Sequence, residues 1–166
     1  LPGSLAEWWS AARLDATWWE TWFAEYRRFA LHHAELAQQS GAGALILGGE
    51  WLQPALPGET LPDGSPSGTP PDSAQRWQAI LADVRSRYRG KLLWALPLDQ
   101  AANPPAFLDS VDAVYLTYTI SAADQLSAAN GQSSLEASLA GMLDGIAAPL
   151  QQRLGKPFIL ALAAPG

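Results

Sequence analysis

Ala44-Leu45-Ile46-Leu47-Gly48-Gly49-Glu50-Trp51 is a short apolar run that stops at a carboxylate. Unbroken apolarity over so few residues predicts a strand at 44–49, buried on both faces, as in a parallel sheet. Glu50 then stands at the C-terminal end of that strand, with an aromatic directly after it. Two readings fit it. A Glu after Gly-Gly is more often a solvated loop residue, but the C-terminal ends of parallel strands are also where such folds present reactive side chains. The flanking sequence decides how much weight the second reading carries.

Upstream, Asp15 is placed to cap a long helix. Trp19, Trp22, Phe23, Tyr26, Phe29, Ala30, His33 and Ala37 recur at spacings of three and four, one apolar face of a 3.6-residue period, and Gly41 and Gly43 stop it. His33 falls on the apolar side and reads as a packed, hydrogen-bonded histidine. Downstream, residues 51–72 hold six prolines and three glycines, an irregular loop long enough to wall a cleft. A second helix begins at Asp72 or Ser73, with Trp77, Ile80, Leu81, Val84 and Tyr88 as its stripe and Gly90 as its end. Strands follow at 91–97 and 113–118, separated by a helical turn near Phe107 and Leu108. A loop at 119–134 precedes a third helix at about 135–153, lined by Leu135, Leu139, Met142, Leu143, Ile146 and Leu150, which Pro149 should kink or shorten. Gly155-Lys156-Pro157 leads into the last strand, 158–162.

Helices therefore separate apolar strands throughout, which predicts an α/β fold with a parallel sheet of about four βα units, the strands pairing in chain order. The long loops follow strand C-termini, so function is expected on that side.

Composition narrows the function classes. The chain has 166 residues, 48% hydrophobic, and a net charge of −6. That is one ordinary domain. The acidic balance argues against nucleic acid, which needs a basic footprint, and against an anionic membrane surface. No apolar run approaches the roughly 20 residues that span a bilayer. There is no cysteine, hence no disulfide framework or thiolate metal site. His32 and His33 are adjacent, and neighbours on a helix do not share a face. No metal site and no cofactor is expected; Gly41-Ala42-Gly43 precedes a strand instead of opening a helix and is no dinucleotide fingerprint. Five of the eight tryptophans fall within 8–22, where core packing is the better reading than a sugar platform. The chain starts at Leu1 and stops just past an apolar strand, so it reads as a piece of a longer protein.

Four segments together resemble the retaining (β/α)8-barrel glycosidases, most of all the β-mannanase-like glycoside hydrolase family 113 and its relatives. They are Trp22-Phe23-Ala24-Glu25-Tyr26 through His33-Ala34-Glu35-Leu36-Ala37; Leu47-Gly48-Gly49-Glu50; Trp77-Gln78-Ala79-Ile80 through Lys91-Leu92; and Val111-Asp112-Ala113-Val114 to Tyr118 with Gly155-Lys156-Pro157. The likeness covers most of the chain. It implies one partial TIM-type barrel domain over 1–166 that carries strands four to seven. It also implies a protein that acts on, or binds, β-linked oligo- or polysaccharide, and an extracellular bacterial setting that composition itself leaves open.

In such enzymes the Glu that ends strand four is the general acid/base, a role the resemblance gives to Glu50. It gives Tyr118, ahead of Tyr115, the place of the tyrosine that bonds the nucleophile; ordinary strand packing is the other reading of both. Trp51, Trp94 and Asp99 are candidates to line the sugar cleft, although Trp94, inside a strand, suits the core better. The departure is at the nucleophile. The family carries a carboxylate shortly after Lys-Pro, and Phe158-Ile159-Leu160-Ala161-Leu162-Ala163-Ala164 has none. Asp99 and Asp124 are the acids left to substitute. A non-catalytic carbohydrate-binding barrel and a purely structural module stay open as alternatives. Four strands also leave two sheet edges unpaired, so a second copy or the remainder of a parent chain is expected to cover them.

Overall fold

A computed structural model of the protein describes residues 4–12, 14–119, 136–137 and 140–163. Helices α1 (Leu5–Ala11) and α2 (Ala16–Ser40) lead into strand β1 (Ala44–Gly48). Helix α3 (Ser73–Arg87) precedes β2 (Lys91–Pro97), β3 is Ala113–Thr119, and α4 (Ala148–Leu154) precedes β4 (Phe158–Ala163). The strands form one sheet in the order β1-β2-β3-β4, and every pairing is parallel. This is the expected topology.

Local chemistry sets the elements. Asp15 accepts the Trp18 N–H at 2.8 Å and starts α2; Gly41, at φ 69°, ends it in the left-handed region. Trp19, Phe23, Tyr26, Ala30, Ala34 and Ala37 make its buried face. Phe29 was expected there too, but it is 48% exposed. The stripe runs through Ala30, and Phe29 lies at its border, its ring 4.2 Å from that of His33. His33 is half-buried and donates from Nδ1 to the Phe29 carbonyl at 2.9 Å, a bond within its own helix. Helix α1 was not anticipated, although Ser4-Leu5-Ala6-Glu7 is a capping box: Glu7 N–H donates to Ser4 Oγ, and Ser4 N–H donates to the Glu7 carboxylate, both at 3.2 Å.

Alternation along the strands sends Leu45 and Leu47, Leu92, Trp94 and Leu96, Val114 and Leu116, and Phe158 and Leu160 to the helix side, where they meet the core. Trp77 of α3 is fully buried at its centre, with ring centroids 5.2 Å from Trp94, 5.5 Å from Phe23 and 5.8 Å from Phe107. Of the clustered N-terminal tryptophans, Trp9 and Trp19 are buried and Trp18 and Trp22 pack against the core, as expected; Trp8 is 41% exposed.

The opposite face of the sheet carries Ile46, Leu93, Ala95, Tyr115, Ile159 and Ala161. No described helix packs on it, and Ile46 and Ile159 are 45% and 50% exposed. Here the expectation for β1 fails: of its residues only Leu47 is buried. Among the described residues, β1 and β4 are edge strands, each without a neighbour on one side and without cover on that face. An uncovered apolar face and two open parallel edges are what four strands of a closed barrel present.

The third long helix is interrupted as Pro149 requires. Leu143–Ala147 is a π turn, in which Ala148 N–H reaches back five residues to the Leu143 carbonyl, and α4 follows with Pro149 in its first turn. Leu135, Leu139 and Asp124 lie outside the described residues.

The N-terminal ends of the strands are joined by polar staples. Asp112 pairs with Arg85 and accepts the Leu92 N–H at 2.7 Å. Lys156 Nζ donates to the Val111 carbonyl at 2.6 Å, and Tyr88 Oη to the Ala42 carbonyl at 2.7 Å.

Candidate functional site

Gly48 and Gly49 place Glu50. Their φ angles are +87° and +114°, conformations that L side chains rarely adopt. A Cβ on Gly48 would stand 2.6 Å from the Ala95 carbonyl oxygen and 2.7 Å from Trp94 Cε2. Two glycines therefore let β1 end against β2 and turn at once. Gly49 N–H donates to the Ala95 carbonyl at 2.9 Å, and a 3₁₀ helix, Glu50–Ala55, begins over the sheet rim.

That short helix is clamped from below. Trp9 Nε1 donates to the Trp51 carbonyl at 3.1 Å, Trp77 Nε1 to the Ala55 carbonyl at 2.9 Å, and Thr69 Oγ1 to the Pro54 carbonyl at 2.7 Å. The Tyr26 hydroxyl lies buried at the start of the turn. Burial pushes it well above the usual phenol range, and a hydrogen bond with the Gly48 backbone offsets this only in part. Three separate segments, around Trp9, Thr69 and Trp77, thus fix the carbonyls of the helix that carries Glu50.

A cavity of about 420 Å³ opens at the C-terminal rim. Glu50 and Gln53 enter it from beyond β1, and Asp99, in the 3₁₀ turn Leu98–Gln100, from beyond β2. Thr117, Tyr118 and Thr119 enter from the end of β3, and Met142 and Ile146 from the helical segment before β4. Its size is that of an ordinary small-ligand site. Among the described residues, neither Glu50 nor Asp99 has a hydrogen-bonding or ionic partner, and none of the residues lining the cavity is Lys, Arg or His. Among the described residues, no group of three His, Cys, Asp or Glu side chains could hold a metal ion.

Of the residues singled out from sequence, Glu50, Asp99 and Tyr118 share this cavity. Tyr118 alternates with Thr117 and Thr119, so it lies on the helix side of the sheet and packs in part against the core while still lining the cavity. Tyr115 lies on the open face. Trp51 lines no part of this cavity: it is 41% exposed, and its ring lies 5.7 Å from that of Tyr26. Trp94 is corrected as a cleft residue. It is 1% exposed, points to the helices and packs edge-on against Trp77 and Phe107, so no ligand can reach it. Its mid-strand position on the helix side dictates this. Gln53, Thr117 and Thr119 were missed. Thr117 and Thr119 are signalled by their position at a strand end, and Gln53 by its place three residues after Glu50.

The Tyr118 backbone is in register with Leu162 of β4. At this rim β4 presents Leu162 and its alanine neighbours, with no carboxylate among its described residues.

Two solved structures overlay on this architecture. One is a GH113 β-1,4-mannanase, with a TM-score of 0.57 and 23% identity over 87% of this chain and 37% of that one. The other is a GH113 β-mannanase from Alicyclobacillus acidocaldarius, with a TM-score of 0.51 and 17% identity over 86% of this chain and 35% of that one. The fold is that of a partial (β/α) barrel. This chain spans about a third of the length of the mannanases it resembles. No family model and no curated protein matches it.

Proposed function

We propose that this chain is a glycosidase-like carbohydrate module that takes a β-linked oligosaccharide at its strand C-terminal rim, with Glu50 positioned to protonate the glycosidic oxygen. The observation that carries the reading is the convergence of Glu50, Asp99 and Tyr118, from three successive strand ends, on one cavity. Two carboxylates, hydroxyls from Thr117, Tyr118 and Thr119, and apolar walls from Leu98, Met142 and Ile146 suit a ring that is polar at its edge and apolar on its faces. The likeness to GH113 mannanases makes β-1,4-linked mannose chains the first class to try.

The chemistry open to such a site is limited. Retaining hydrolysis needs a second carboxylate about 5 Å from the first to capture the anomeric centre. No acid occurs in β4, so a glycosyl-enzyme intermediate has no evident attachment point there. A positioned general acid alone contributes about 10²–10⁴-fold, far below the total acceleration glycosidases reach. The acid-free β4 favours binding over turnover, and we expect weak hydrolysis or none.

The test pairs calorimetric binding of β-1,4-manno- and gluco-oligosaccharides with release of an aryl leaving group from aryl β-glycosides, in the native chain and in Glu50→Gln. Binding with negligible turnover supports the reading. Robust turnover that disappears in Glu50→Gln would reveal an overlooked nucleophile, with Asp99 the first residue to replace. If no oligosaccharide binds, the rim is structural and the reading fails.

A further inference from the structure

The face of the sheet away from the helices carries Ile46, Leu93, Ala95, Tyr115, Ile159 and Ala161, none of them charged. Its two edges are equally plain. β1 reads Ala-Leu-Ile-Leu-Gly and β4 reads Phe-Ile-Leu-Ala-Leu-Ala. Neither holds the lysines, prolines or inward charges by which natural edge strands avoid pairing. Helix α2 shows a matching flank. Its side toward α3 is marked by the ion pairs Arg27–Asp83 and Glu35–Arg87. Phe29, His33 and Leu36 recur at i, i+4 and i+7 on the opposite side, beyond β1, and Phe29 and Leu36 are exposed. Trp51 continues this line through Tyr26, whose ring lies 5.7 Å from that of Trp51 and 6.0 Å from that of Phe29. At the other edge, Leu162 stands on the helix side of β4 and is exposed as well.

We infer that two copies of this chain close one eight-stranded barrel, the β4 edge of each pairing in parallel with the β1 edge of the other. The two edges are different surfaces, so the contact runs head to tail and ends only when the copies complete a ring. Eight strands make a barrel whose interior side chains just fill it, and two copies supply eight. Every described strand is preceded by a helical segment. Helix α2, before β1, therefore roofs the seam with the partner's β4, and its flank from Phe29 to Leu36 turns to the partner's helix α4. Area agrees with this occupant. A face of four strands, about 4.8 Å apart and about 20 Å long, covers about 400 Å² in each copy. Two such faces, two strand seams and two α2 flanks bring the total into the range of a stable specific interface, about 1,200–2,000 Å². A twofold axis along the strands leaves the Glu50 cavities of both copies at the same end of the barrel. Closure does not depend on what those cavities bind.

The experiment follows the mass of the 166-residue protein by analytical sedimentation over a wide range of concentration, beside Ile46→Lys, Leu36→Glu and Ala82→Lys. Ile46 and Leu36 are exposed in the single chain, so their replacement leaves the fold of one copy intact, which circular dichroism checks. Ala82, on the exposed side of α3, is the control. The expected result is a species of twice the chain mass. Ile46→Lys sets a charge inside the closed barrel, and Leu36→Glu sets one beside the partner's helix. Each should raise the dimer dissociation constant by roughly tenfold or more, about 1.4 kcal/mol per tenfold, while Ala82→Lys leaves it unchanged. A single-chain mass at every concentration would overturn the closure. A dimer that both variants leave intact would place the contact elsewhere, and assemblies that grow past two copies would show edges that join without closing; either result overturns it too.

Discussion

Replacing Gly48 by alanine tests the turn that presents Glu50, and its cost can be worked out in two parts. At φ +87° an L residue carries the left-handed penalty, about 1–2 kcal/mol. The new Cβ would also stand 2.6 Å from the Ala95 carbonyl oxygen and 2.7 and 2.9 Å from Trp94 Cε2 and Cδ2. Neither neighbour yields easily, since Ala95 is strand backbone and Trp94 is packed between Trp77 and Phe107. Overpacking of this kind costs about 1–3 kcal/mol, which brings the whole to about 2–5 kcal/mol, a large share of the stability of an ordinary domain. Gly64→Ala is the control. Its φ is +83° and nothing lies within 4 Å of its Cβ, so it should show the backbone part alone. Urea titrations of both variants, followed by tryptophan fluorescence and far-ultraviolet dichroism, give the difference from the midpoints if the slopes agree. We expect Gly48→Ala to be the less stable by about 1–3 kcal/mol and to bind oligosaccharide more weakly, because the chain must leave β2 before Glu50. Equal losses in the two variants would mean that the turn relaxes freely and that the close approach to Trp94 does not position Glu50.

Trp77→Phe should destabilise more than Trp19→Phe. The first leaves the Ala55 carbonyl without its donor at a cost of about 1–3 kcal/mol, whereas Trp19 Nε1 is buried with no partner among the described residues and its removal relieves a penalty; urea midpoints of the pair check this. Partial burial pushes the Asp112 carboxyl up, but the hydrogen bonds from Arg85 and the Leu92 N–H and the charges of Arg85 and Lys156 outweigh it and hold it below 3.8. Its contribution is therefore present above that pH and lost as pH falls through the folded value, so acid unfolding followed by fluorescence should show a shallower loss in Asp112→Asn. Tyr26 shifts the other way: its folded value lies above the unfolded 10.0, so stability falls as pH rises past 10, and Tyr26→Phe should flatten the alkaline limb of the unfolding curve. Uronic-acid oligosaccharides should bind more weakly than neutral ones of equal length at low salt, because the described residues of the rim cavity include two carboxylates and no cation; equal affinity by calorimetry would argue against the carboxylates facing the ligand.

The sheet was legible because strand and helix periods differ and each boundary carries its own chemistry. Asp15 and Gly41 bound α2, and the parallel order follows from βα alternation. The exposure of β1 was not legible. Ala44-Leu45-Ile46-Leu47 reads as buried on both faces because the same residues suit the inside of a closed barrel; nothing local reveals that no described element covers Ile46. Trp94 and Trp51 show the same limit at the site. An aromatic inside a strand or just beyond it can serve core or cleft, and placement decides: Trp94 shares its face with Leu92 and Leu96, while Trp51 lies between Glu50 and Gln53 in the 3₁₀ helix yet lines no part of the cavity they enter. The pairing of Glu50 with Gln53 in one cavity needs a 3₁₀ helix, and Glu50-Trp51-Leu52-Gln53-Pro54-Ala55, inside a stretch rich in proline, reads from sequence only as loop.

Charge pairing separates the two ends of the sheet. Arg27, Arg76, Arg85 and Arg87 are taken up by Asp83, Asp72, Asp112 and Glu35, on helices or at the strand N-termini. These exposed or half-exposed pairs contribute little each, and among the described residues no arginine lines the cavity at the C-terminal rim. Glu50 and Asp99 therefore face their cavity as acceptors without a fixed donor among the described residues, and a ligand rich in hydroxyl donors can satisfy both. Hydroxyl groups bonded to ionised carboxylates make stronger bonds than neutral pairs do, so such a rim can hold sugar without completing hydrolysis. The described residues of β4 include no acid, and this part of the rim does not depend on one.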